Sequence, residues 1–317
     1  MSEQKKTGLL YSKEYLNHAT PEGHPESARR AEVVIKGLED EGLMPRLQPI
    51  DARVARQEEV TRCHTPKYYE TAKADVEHGL PDLSTGDTHI MERSFDVALL
   101  AAGGVINAVD AVVEGRVKNA FCVVRPPGHH ATPVKGMGFC IFNNIAVAAR
   151  HAQAKHKIGK VLIADWDVHH GNGTQDVFYD DGTVFFFDTH QSPWYPGTGD
   201  KSETGTGKGL NCIQNHPFPA GAGRAEVFGA FETKLVDAAN KFKPDLVMLS
   251  AGFDSRLGDP LGQFRLTDED YVDLTKVMLH LAKEHAGGRL VSVLEGGYNL
   301  RGLMKASTAH VKTLMEM

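Results

Sequence analysis

Two acidic residues and one histidine follow apolar segments of the sequence in a pattern typical of a metal site. Asp167 and His169 come soon after the apolar run that ends at residue 164, and Asp254 follows the run that ends near residue 250. Alternate residues of an extended chain point to the same side, so Asp167 and His169 can bind one ion. One imidazole and two carboxylates suit Zn²⁺, and three protein ligands leave a position open for water or substrate. The alternative is that Asp167 and Asp254 only cap helices, which leaves the adjacent histidines unexplained.

Two adjacent histidines, His129 and His130, follow a Pro-Pro-Gly turn. Imidazoles held on stiff backbone are suited to positioned proton transfer. Each ring needs a partner at one nitrogen, because that hydrogen bond sets the tautomer at the other. We expect Asp165 to be a carboxylate partner and Asn172 a neutral one. Since only the carboxylate favours imidazolium, these partners predict different pKa values for the two rings.

The segment Glu295-Gly296-Gly297-Tyr298 follows a further apolar run. Paired glycines let backbone approach a ligand, and the phenol after them can donate a hydrogen bond. A metal on one side and the Tyr298 hydroxyl on the other would hold a polarised carbonyl oxygen from two directions, as in an oxyanion site. The alternative is a buried tyrosine whose hydroxyl is satisfied within the core.

Histidine is abundant, with 16 in the chain. Isolated histidines such as His18, His78 and His285 lack neighbouring chemistry-bearing residues. We expect these three to be surface residues without a role.

These side chains need a scaffold that brings separate strand ends together. Continuously apolar runs alternate with helical runs, which is typical of a parallel sheet covered by helices on both faces. The predicted strands are Ala120–Val124, Val161–Ala164, Val184–Phe187, Leu246–Leu249 and Leu290–Leu294. The predicted helices are Ser27–Glu41, Thr65–Gly79, Val97–Val113, Phe142–His156, Arg224–Asn240 and Tyr271–His285. Ligands of open α/β sheets bind outside the carboxyl ends of the strands. We therefore expect four strand ends to deliver His, Asp and Tyr side chains to one edge of a doubly wound, mostly parallel α/β sheet.

Two Gly/Pro-rich stretches, Leu80–Glu92 and Thr189–Gly209, are predicted to be long ordered loops, and such loops are usually functional. The sequence shows no internal repeat and no Ser/Pro-rich linker, so we expect a single domain.

Composition excludes several classes of protein. The 317 residues include 35 Lys plus Arg and 41 Asp plus Glu, a formal net charge of −6, with 41% hydrophobic residues. This balance excludes a disordered, collagen-like or low-complexity chain, and the acidity argues against direct nucleic-acid binding. The polar start Met1–Lys6 has no apolar stretch after it, so we expect no signal peptide. The apolar stretch Val97–Val113 is shorter than the ~20 residues of a membrane span, so we expect it to be a buried helix and expect no membrane contact. The 4 Cys form no CxxC pair, which indicates free thiols and a cytoplasmic protein.

Together with His24-Pro25-Glu26-Ser27, these motifs resemble the zinc-dependent histone deacetylase superfamily, which also contains acetylpolyamine amidohydrolases and acetoin-utilisation proteins. The resemblance runs through Asn299, rests on five motifs in the family's order and is closest to class II-like bacterial deacetylases. It implies that residues 1–317 form one deacetylase-like catalytic domain. It also implies that this domain is a hydrolase that removes acetyl or other acyl groups from lysine side chains. The implied site residues are Asp167, His169 and Asp254 on Zn²⁺, His130 as general base, His129 oriented by Asp165, and Tyr298 on the tetrahedral intermediate.

The resemblance also implies a narrow acyl-lysine tunnel. Its substrate-binding residues would be Asp87 at the rim, Gly138, Phe139 and Tyr195 along the walls, Leu261 at the entrance, and Gly296, with Arg30 near an internal channel. A structural K⁺ would bind the Asp165–His169 backbone and the region of Asp188. Asn172 stands where some members of the family have Asp, which leaves His130 without an acidic partner. The choice between Zn²⁺ and Fe²⁺ in the cell stays open. Whether the chain forms a homo-oligomer stays open as well.

Three other functions compete with acyl-lysine hydrolysis. Polyamine-specific relatives place Glu seven residues after the last metal-binding Asp, where this chain has Leu261, so acyl-lysine ranks before acetylpolyamine as substrate. A catalytically silent acyl-lysine-binding module would be expected to lack Tyr298. An arginase-like manganese hydrolase would need more carboxylates to bridge two metals, and it leaves the His129-His130 pair unexplained.

Overall fold

The structure, a computed structural model, describes residues 6–316. The first residues of the polar start discussed above lie outside this range. Eight strands were found within it: β1 (Gly8–Leu10), β2 (Gln48–Ile50), β3 (Asn119–Cys122), β4 (Val161–Asp165), β5 (Val184–Gln191), β6 (Ile213–Phe218), β7 (Leu246–Ala251) and β8 (Leu290–Leu294). They form one sheet in the order β2-β1-β3-β8-β7-β4-β5-β6. Every neighbouring pair is parallel, so the predicted parallel α/β sheet is confirmed.

Helices cover both faces of this sheet. They are α1 (Ala28–Asp40), α2 (Gln57–Val60), α3 (Pro66–Glu77), α4 (Ser94–Val113), α5 (Asn144–His156), α6 (Asn172–Phe178), α7 (Arg224–Ala230), α8 (Val236–Phe242), α9 (Asp268–His285) and α10 (Leu300–Met315). A π-helical turn, Phe231–Leu235, joins α7 to α8. Along β4, Val161 and Ile163 pack into one core and Leu162 and Ala164 into the other. Burial on both faces explains why this strand is continuously apolar.

The elements that the sequence analysis did not predict are mainly short or polar. Strands β1 and β2 have three residues each, too few for a pattern to show. Strand β6 carries Gln214, Asn215 and His216 between its apolar ends, so it lacks a continuous apolar run. Helix α10 was also not predicted, although one side of it is buried against the core.

Helix α4 is longer than the sequence analysis expected. It begins at Ser94 and has 20 residues with a mean hydropathy of 1.7 over its most apolar window, so by length and composition alone it could cross a membrane. In the structure, 78% of that window is buried inside the protein. The burial supports the interpretation of α4 as a core helix.

The two predicted loops differ in how far the prediction holds. Residues 80–92 form a loop, within which Asp82 and His89 make an isolated bridge. In the second stretch, residues 189–191 instead extend β5, and Gly207–Gly209 form a 3-10 turn. The run between them is a loop beside the active-site edge of the sheet, and it carries Tyr195.

Candidate active site

Four neighbouring strands at the centre of the sheet carry the chemistry-bearing segments after their carboxyl ends. The sheet order places β3, β8, β7 and β4 side by side. The segments that follow them contain His129, Tyr298, Asp254 and Asp167, respectively. Because the strands are parallel, these segments emerge at one edge.

The three predicted metal ligands meet at this edge. His169 Nδ1 lies 3.0 Å from Asp167 Oδ1 and 3.2 Å from Asp254 Oδ2. One ligand atom from each of the three residues falls within 4.8 Å of the others, and all three residues are buried. Among residues 6–316, Asp254 Oδ2 is buried and finds no hydrogen-bond partner. An orphaned carboxylate oxygen aimed at an imidazole nitrogen fits a metal ligand better than a helix cap.

The other oxygens of the two carboxylates are fixed by backbone. Asp167 Oδ2 accepts a hydrogen bond from Gly296 N at 2.7 Å, and Asp254 Oδ1 accepts one from Val168 N at 2.9 Å. A Cβ on Gly296 would lie 2.0 Å from Asp254 Oδ2, and one on Gly252 would lie 2.1 Å from Asp167 Oδ2. Both glycines are therefore required for close approach. Gly296, predicted to bind substrate, lies against the metal ligands, and its substrate contact stays a prediction.

The electrostatics of this triad favour a cation. Burial alone would lower the pKa of His169, but the neighbouring carboxylates of Asp167 and Asp254 outweigh it and raise that pKa to about 10. Burial and the neighbouring Asp167 raise the pKa of Asp254 to about 7. Two buried carboxylates repel each other unless positive charge lies between them. A divalent ion supplies that charge, so the donor set fits a metal.

The two histidines have the partners that the sequence predicts. His129 Nδ1 lies 2.9 Å from Asp165 Oδ2, and His130 Nδ1 lies 2.8 Å from Asn172 Oδ1. The ring centroids are 4.0 Å apart. An amide oxygen only accepts hydrogen bonds, so His130 Nδ1 carries the proton and its Nε2 is free to accept another.

Their surroundings separate the two pKa values. Burial disfavours a charged His129, but the carboxylates of Asp165 and Asp167 outweigh it and raise the pKa of His129 well above its usual value. Burial lowers the pKa of His130, and positive charge on His129 and His169 lowers it further. His130 is therefore the neutral ring, suited to a general base, and His129 is the charged one.

Tyr298 lies over a buried arginine. The Arg30 guanidinium carbon is 4.8 Å from the centroid of the Tyr298 ring. Arg30 Nε donates to Gly297 O at 2.7 Å, and its Nη2 donates to Glu295 O. Arg30 thus braces the segment that carries Tyr298. Its place near an internal channel stays a prediction.

A cavity of about 290 Å³ leads to these residues. Its lining is largely apolar, with a few polar side chains: Asp87, His130, Gly138, Phe139, His169, Trp194, Tyr195, Leu261 and Tyr298. Five of the six predicted substrate-binding residues, all but Gly296, therefore line one cavity. Gly138 is required there, because its φ is +57° and a Cβ would lie 2.3 Å from His130 Cδ2.

The rim of the cavity is held by hydrogen bonds. The exposed Asp87 accepts from Gly138 N at 2.8 Å and from the Tyr195 hydroxyl at 3.1 Å. On the opposite side, Trp194 Nε1 donates to Leu261 O at 2.9 Å. Trp194 was not singled out from the sequence, where a lone aromatic residue in a loop carries no signal of function.

Charged residues buried behind the site were also missed. Glu26 is wholly buried, and Arg125 pairs with it through Nε at 2.6 Å and Nη2 at 2.7 Å. Glu295 Oε2 accepts from Gly128 N at 2.7 Å and from His129 N at 3.1 Å, so it positions the histidine pair. Glu26 and Glu295 both lie inside motifs quoted in the sequence analysis, and this position was the sequence signal that could have identified them as functional.

The expectation that His18 lies at the surface is wrong. Its side chain is only 1% exposed. His18 Nδ1 contacts Ser94 Oγ at 2.8 Å, and Nε2 lies 3.6 Å from Glu26. A buried imidazole with a hydroxyl partner cannot be told from an exposed one by its sequence neighbours. His78 is exposed and His285 is partly exposed, as predicted.

The fold and the site define a metal-dependent hydrolase built on a parallel α/β sheet. Residues 24–314 match the family model of the histone deacetylase domain. The chain therefore belongs to the histone deacetylase domain family and is a hydrolytic deacetylase.

Curated relatives and a solved structure support the same family assignment. The chain is 39% identical over 300 residues to a probable deacetylase of Archaeoglobus fulgidus, covering 94% of this chain and 83% of the relative. It is 38% identical over 323 residues to histone deacetylase 14, chloroplastic, of Arabidopsis thaliana, covering 97% and 76%. It is also 38% identical over 306 residues to the polyamine deacetylase HDAC10 of Homo sapiens, covering 93% and 45%. The crystal structure of the HDA15 HD domain superposes with a TM-score of 0.93 at 38% identity, covering 98% of this chain and 88% of that one.

Proposed function

We propose that the chain removes acetyl groups from the side-chain amine of lysine in proteins or peptides. The observation that carries this proposal is the largely apolar lining of the cavity, to which Phe139, Trp194 and Leu261 contribute. Acetylation removes the ammonium charge of lysine, so its aliphatic stem and amide enter such a cavity at little desolvation cost. An acetylpolyamine keeps further ammonium groups, which an acidic entrance would favour.

The residues of the site divide the reaction between them. Asp167, His169 and Asp254 would hold a divalent ion, which would supply Lewis acidity for the acyl carbonyl and the attacking water. His130 Nε2 accepts the proton of that water, because Nδ1 is occupied by Asn172. His129, kept charged by Asp165, can donate a proton to the leaving amine. The Tyr298 hydroxyl donates to the developing oxyanion.

We also propose Zn²⁺ as the catalytic ion, since one imidazole and two carboxylates are a donor set that zinc accepts. A structural K⁺ beside Asp165 and Asp188 is proposed as well, because these two carboxylates are register partners on β4 and β5 and burial leaves them poorly screened. Reconstitution of the metal-free chain with Zn²⁺ or Fe²⁺, in K⁺ or Na⁺ buffer, tests both ions through the rate recovered.

The substrate test compares acetyl-lysine peptides with N-acetylated polyamines on Leu261→Glu, with Leu261→Gln as the neutral control of equal size. The wild type should prefer the peptides. A carboxylate at the entrance can pair with a distal ammonium, and charge-assisted hydrogen bonds contribute roughly 1.5–3 kcal/mol, or about ten- to a hundredfold in kcat/KM. Leu261→Glu should therefore shift the ratio towards polyamines, less so at high salt, and Leu261→Gln should not.

Acetylpolyamine hydrolysis is the second candidate. The similarity to a relative named polyamine deacetylase favours it, as does the exposed carboxylate of Asp87 at the rim. A wild-type enzyme that already prefers acetylpolyamines, or an unchanged ratio in Leu261→Glu, would replace the first proposal with this one.

We further propose a cytoplasmic location. All four cysteines are free thiols, and three of them are buried. Fractionation of cells that express the tagged chain would test this.

A further inference from the structure

A second cluster of metal-binding side chains lies between α4 and α5. Asp110 comes from α4, and His151 and His156 come from the C-terminal half of α5. His151 Nε2 lies 2.8 Å and His156 Nε2 lies 2.6 Å from the same oxygen, Asp110 Oδ1. One ligand atom from each residue falls within 4.8 Å of the others.

We propose that Asp110, His151 and His156 bind a second divalent transition-metal ion, of which Zn²⁺ is the best match. Two imidazole nitrogens and one carboxylate oxygen are ligands that zinc takes in proteins. Asp110 and His151 are buried, whereas His156 is partly exposed. The site therefore has two fixed ligands and a side open to water, through which an ion can enter.

A buried carboxylate stands behind one of these ligands. Glu59 is wholly buried, and its Oε1 lies 3.7 Å from His151 Nδ1. Metal-binding histidines commonly have a carboxylate at the ring nitrogen opposite the metal, which orients the ring and raises its basicity. Glu59 is itself fixed by Arg53, whose two terminal nitrogens donate to it at 2.7 and 2.8 Å. Glu59 thus lies at the second nitrogen of His151, at ion-pair rather than hydrogen-bond distance, where it can orient the ring.

Binding requires only small movements. Ligand atoms that share a tetrahedral zinc at about 2.0–2.1 Å lie roughly 3.3 Å apart, so the imidazoles must move back from Asp110 by about half an ångström. Lys155 Nζ contacts the other carboxylate oxygen, Asp110 Oδ2, at 2.7 Å. The Lys155 side chain is 48% exposed, so it can turn into solvent when a divalent ion arrives.

The ion would cross-link two core helices without touching the catalytic residues. The active-site end of α5 is its start, where Asn144 Nδ2 donates to Pro126 O at 3.0 Å. The cluster lies in the second half of the helix. We therefore expect the ion to stabilise the fold, as any ligand of the native state does, and to leave turnover unchanged.

Zinc content measured after dialysis of the full chain against micromolar free zinc tests the proposal. Wild type should hold two zinc ions per chain. The double variant His151→Gln/His156→Gln should hold one and keep its deacetylase rate, whereas exposed His280→Gln, the matched control, should hold two. Zinc should raise the Tm of a catalytic-site variant, Asp167→Asn, and this rise should disappear when the two histidines are also replaced.

Lys155→Met gives a second, independent readout. Removing a cation next to the ion should tighten zinc binding, because the repulsion between them is lost. If the cluster is only a network of hydrogen bonds, the wild type will hold no more zinc than the double-histidine variant, and the proposal is overturned. Unchanged or weaker zinc binding by Lys155→Met would overturn it as well.

Discussion

Asp259 holds the backbone of Tyr298 in place. Its Oδ2 accepts hydrogen bonds from Tyr298 N at 2.7 Å and from Asn299 N at 3.0 Å. Its Oδ1 accepts one from Leu261 N at 2.9 Å. One nearly buried carboxylate therefore fixes the backbone both of the tyrosine at the reaction centre and of the leucine at the cavity entrance.

Asp259→Asn should lower activity without loss of metal. The amide of Asn replaces one accepting oxygen with an NH₂ group that faces backbone N–H donors. A buried donor left without an acceptor destabilises the local structure by about 1–3 kcal/mol. If that cost falls on the placement of Tyr298, kcat should drop about ten- to a hundredfold. Steady-state kinetics with zinc analysis decide this. Asp268→Asn, which breaks a nearby ion pair with Arg256, is the control and should keep its rate.

Removing a ligand of the catalytic triad should remove both metal and activity. Asp167→Ala or Asp254→Ala leaves two donors, too few to hold the ion against water. Gly296→Ala should act similarly, because its methyl group would lie 2.0 Å from Asp254 Oδ2. The measurement is zinc retained by a chain that also carries the double-histidine change in the α4–α5 cluster, so that only this site is counted. A full equivalent of zinc in these variants would show that the ligands are misplaced.

Asn172→Asp should move the acid side of the pH profile to higher pH. His130 must be neutral to accept a proton, and its pKa is held low by burial and by the neighbouring positive rings. A carboxylate 2.8 Å from Nδ1, where the amide oxygen of Asn172 lies, would stabilise imidazolium and raise that pKa. The neutral fraction would then be lost at a higher pH as the solution is acidified. Profiles of kcat/KM for both enzymes test this, and an unshifted acid limb would exclude His130 as the base.

The strand-end chemistry could be predicted because it depends on local sequence. A continuous apolar run such as Val161–Ala164 indicates a strand buried on both faces, and the polar residues after it must lie at the sheet edge. Asp167 and His169 were placed in this way. Their pairing with Asp254 needed only that parallel strands end together, which the sheet order β8-β7-β4 provides.

The contacts of the supporting charges could not be predicted, because they join distant parts of the chain. Glu26 and Arg125 are far apart in sequence, and each alone would be expected at the surface. Both are 0% exposed because each neutralises the other. The burial of His18 follows from this network, since the Glu26 carboxylate lies beside it. Asp259 was missed because its partners are backbone N–H groups, which no sequence motif encodes.

Buried neutral histidines outside the active site should make the fold sensitive to acid. His310 is wholly buried between Thr275 Oγ1 at 2.7 Å and Ser292 Oγ at 2.9 Å. Burial lowers its pKa from 6.5 to about 3. His64, which contacts Thr132 O and Asn143 N, has its pKa lowered by burial to about 4. Each folded-state pKa lies below the unfolded value, so the unfolded chain binds protons that the native state does not.

Stability must therefore fall as the pH drops below about 6.5, until each folded pKa is reached. From pH 6.5 to 5, each histidine should cost about 1.6 kcal/mol of unfolding free energy. Urea unfolding at the two pH values measures this loss. His310→Gln removes one titrating group, so it should be destabilised at pH 7 but lose about 1.6 kcal/mol less than wild type on acidification. The exposed control His78→Gln should match the wild-type loss. If His310→Gln and wild type lose the same stability, His310 takes up its proton in the folded state, and its burial does not govern the acid response.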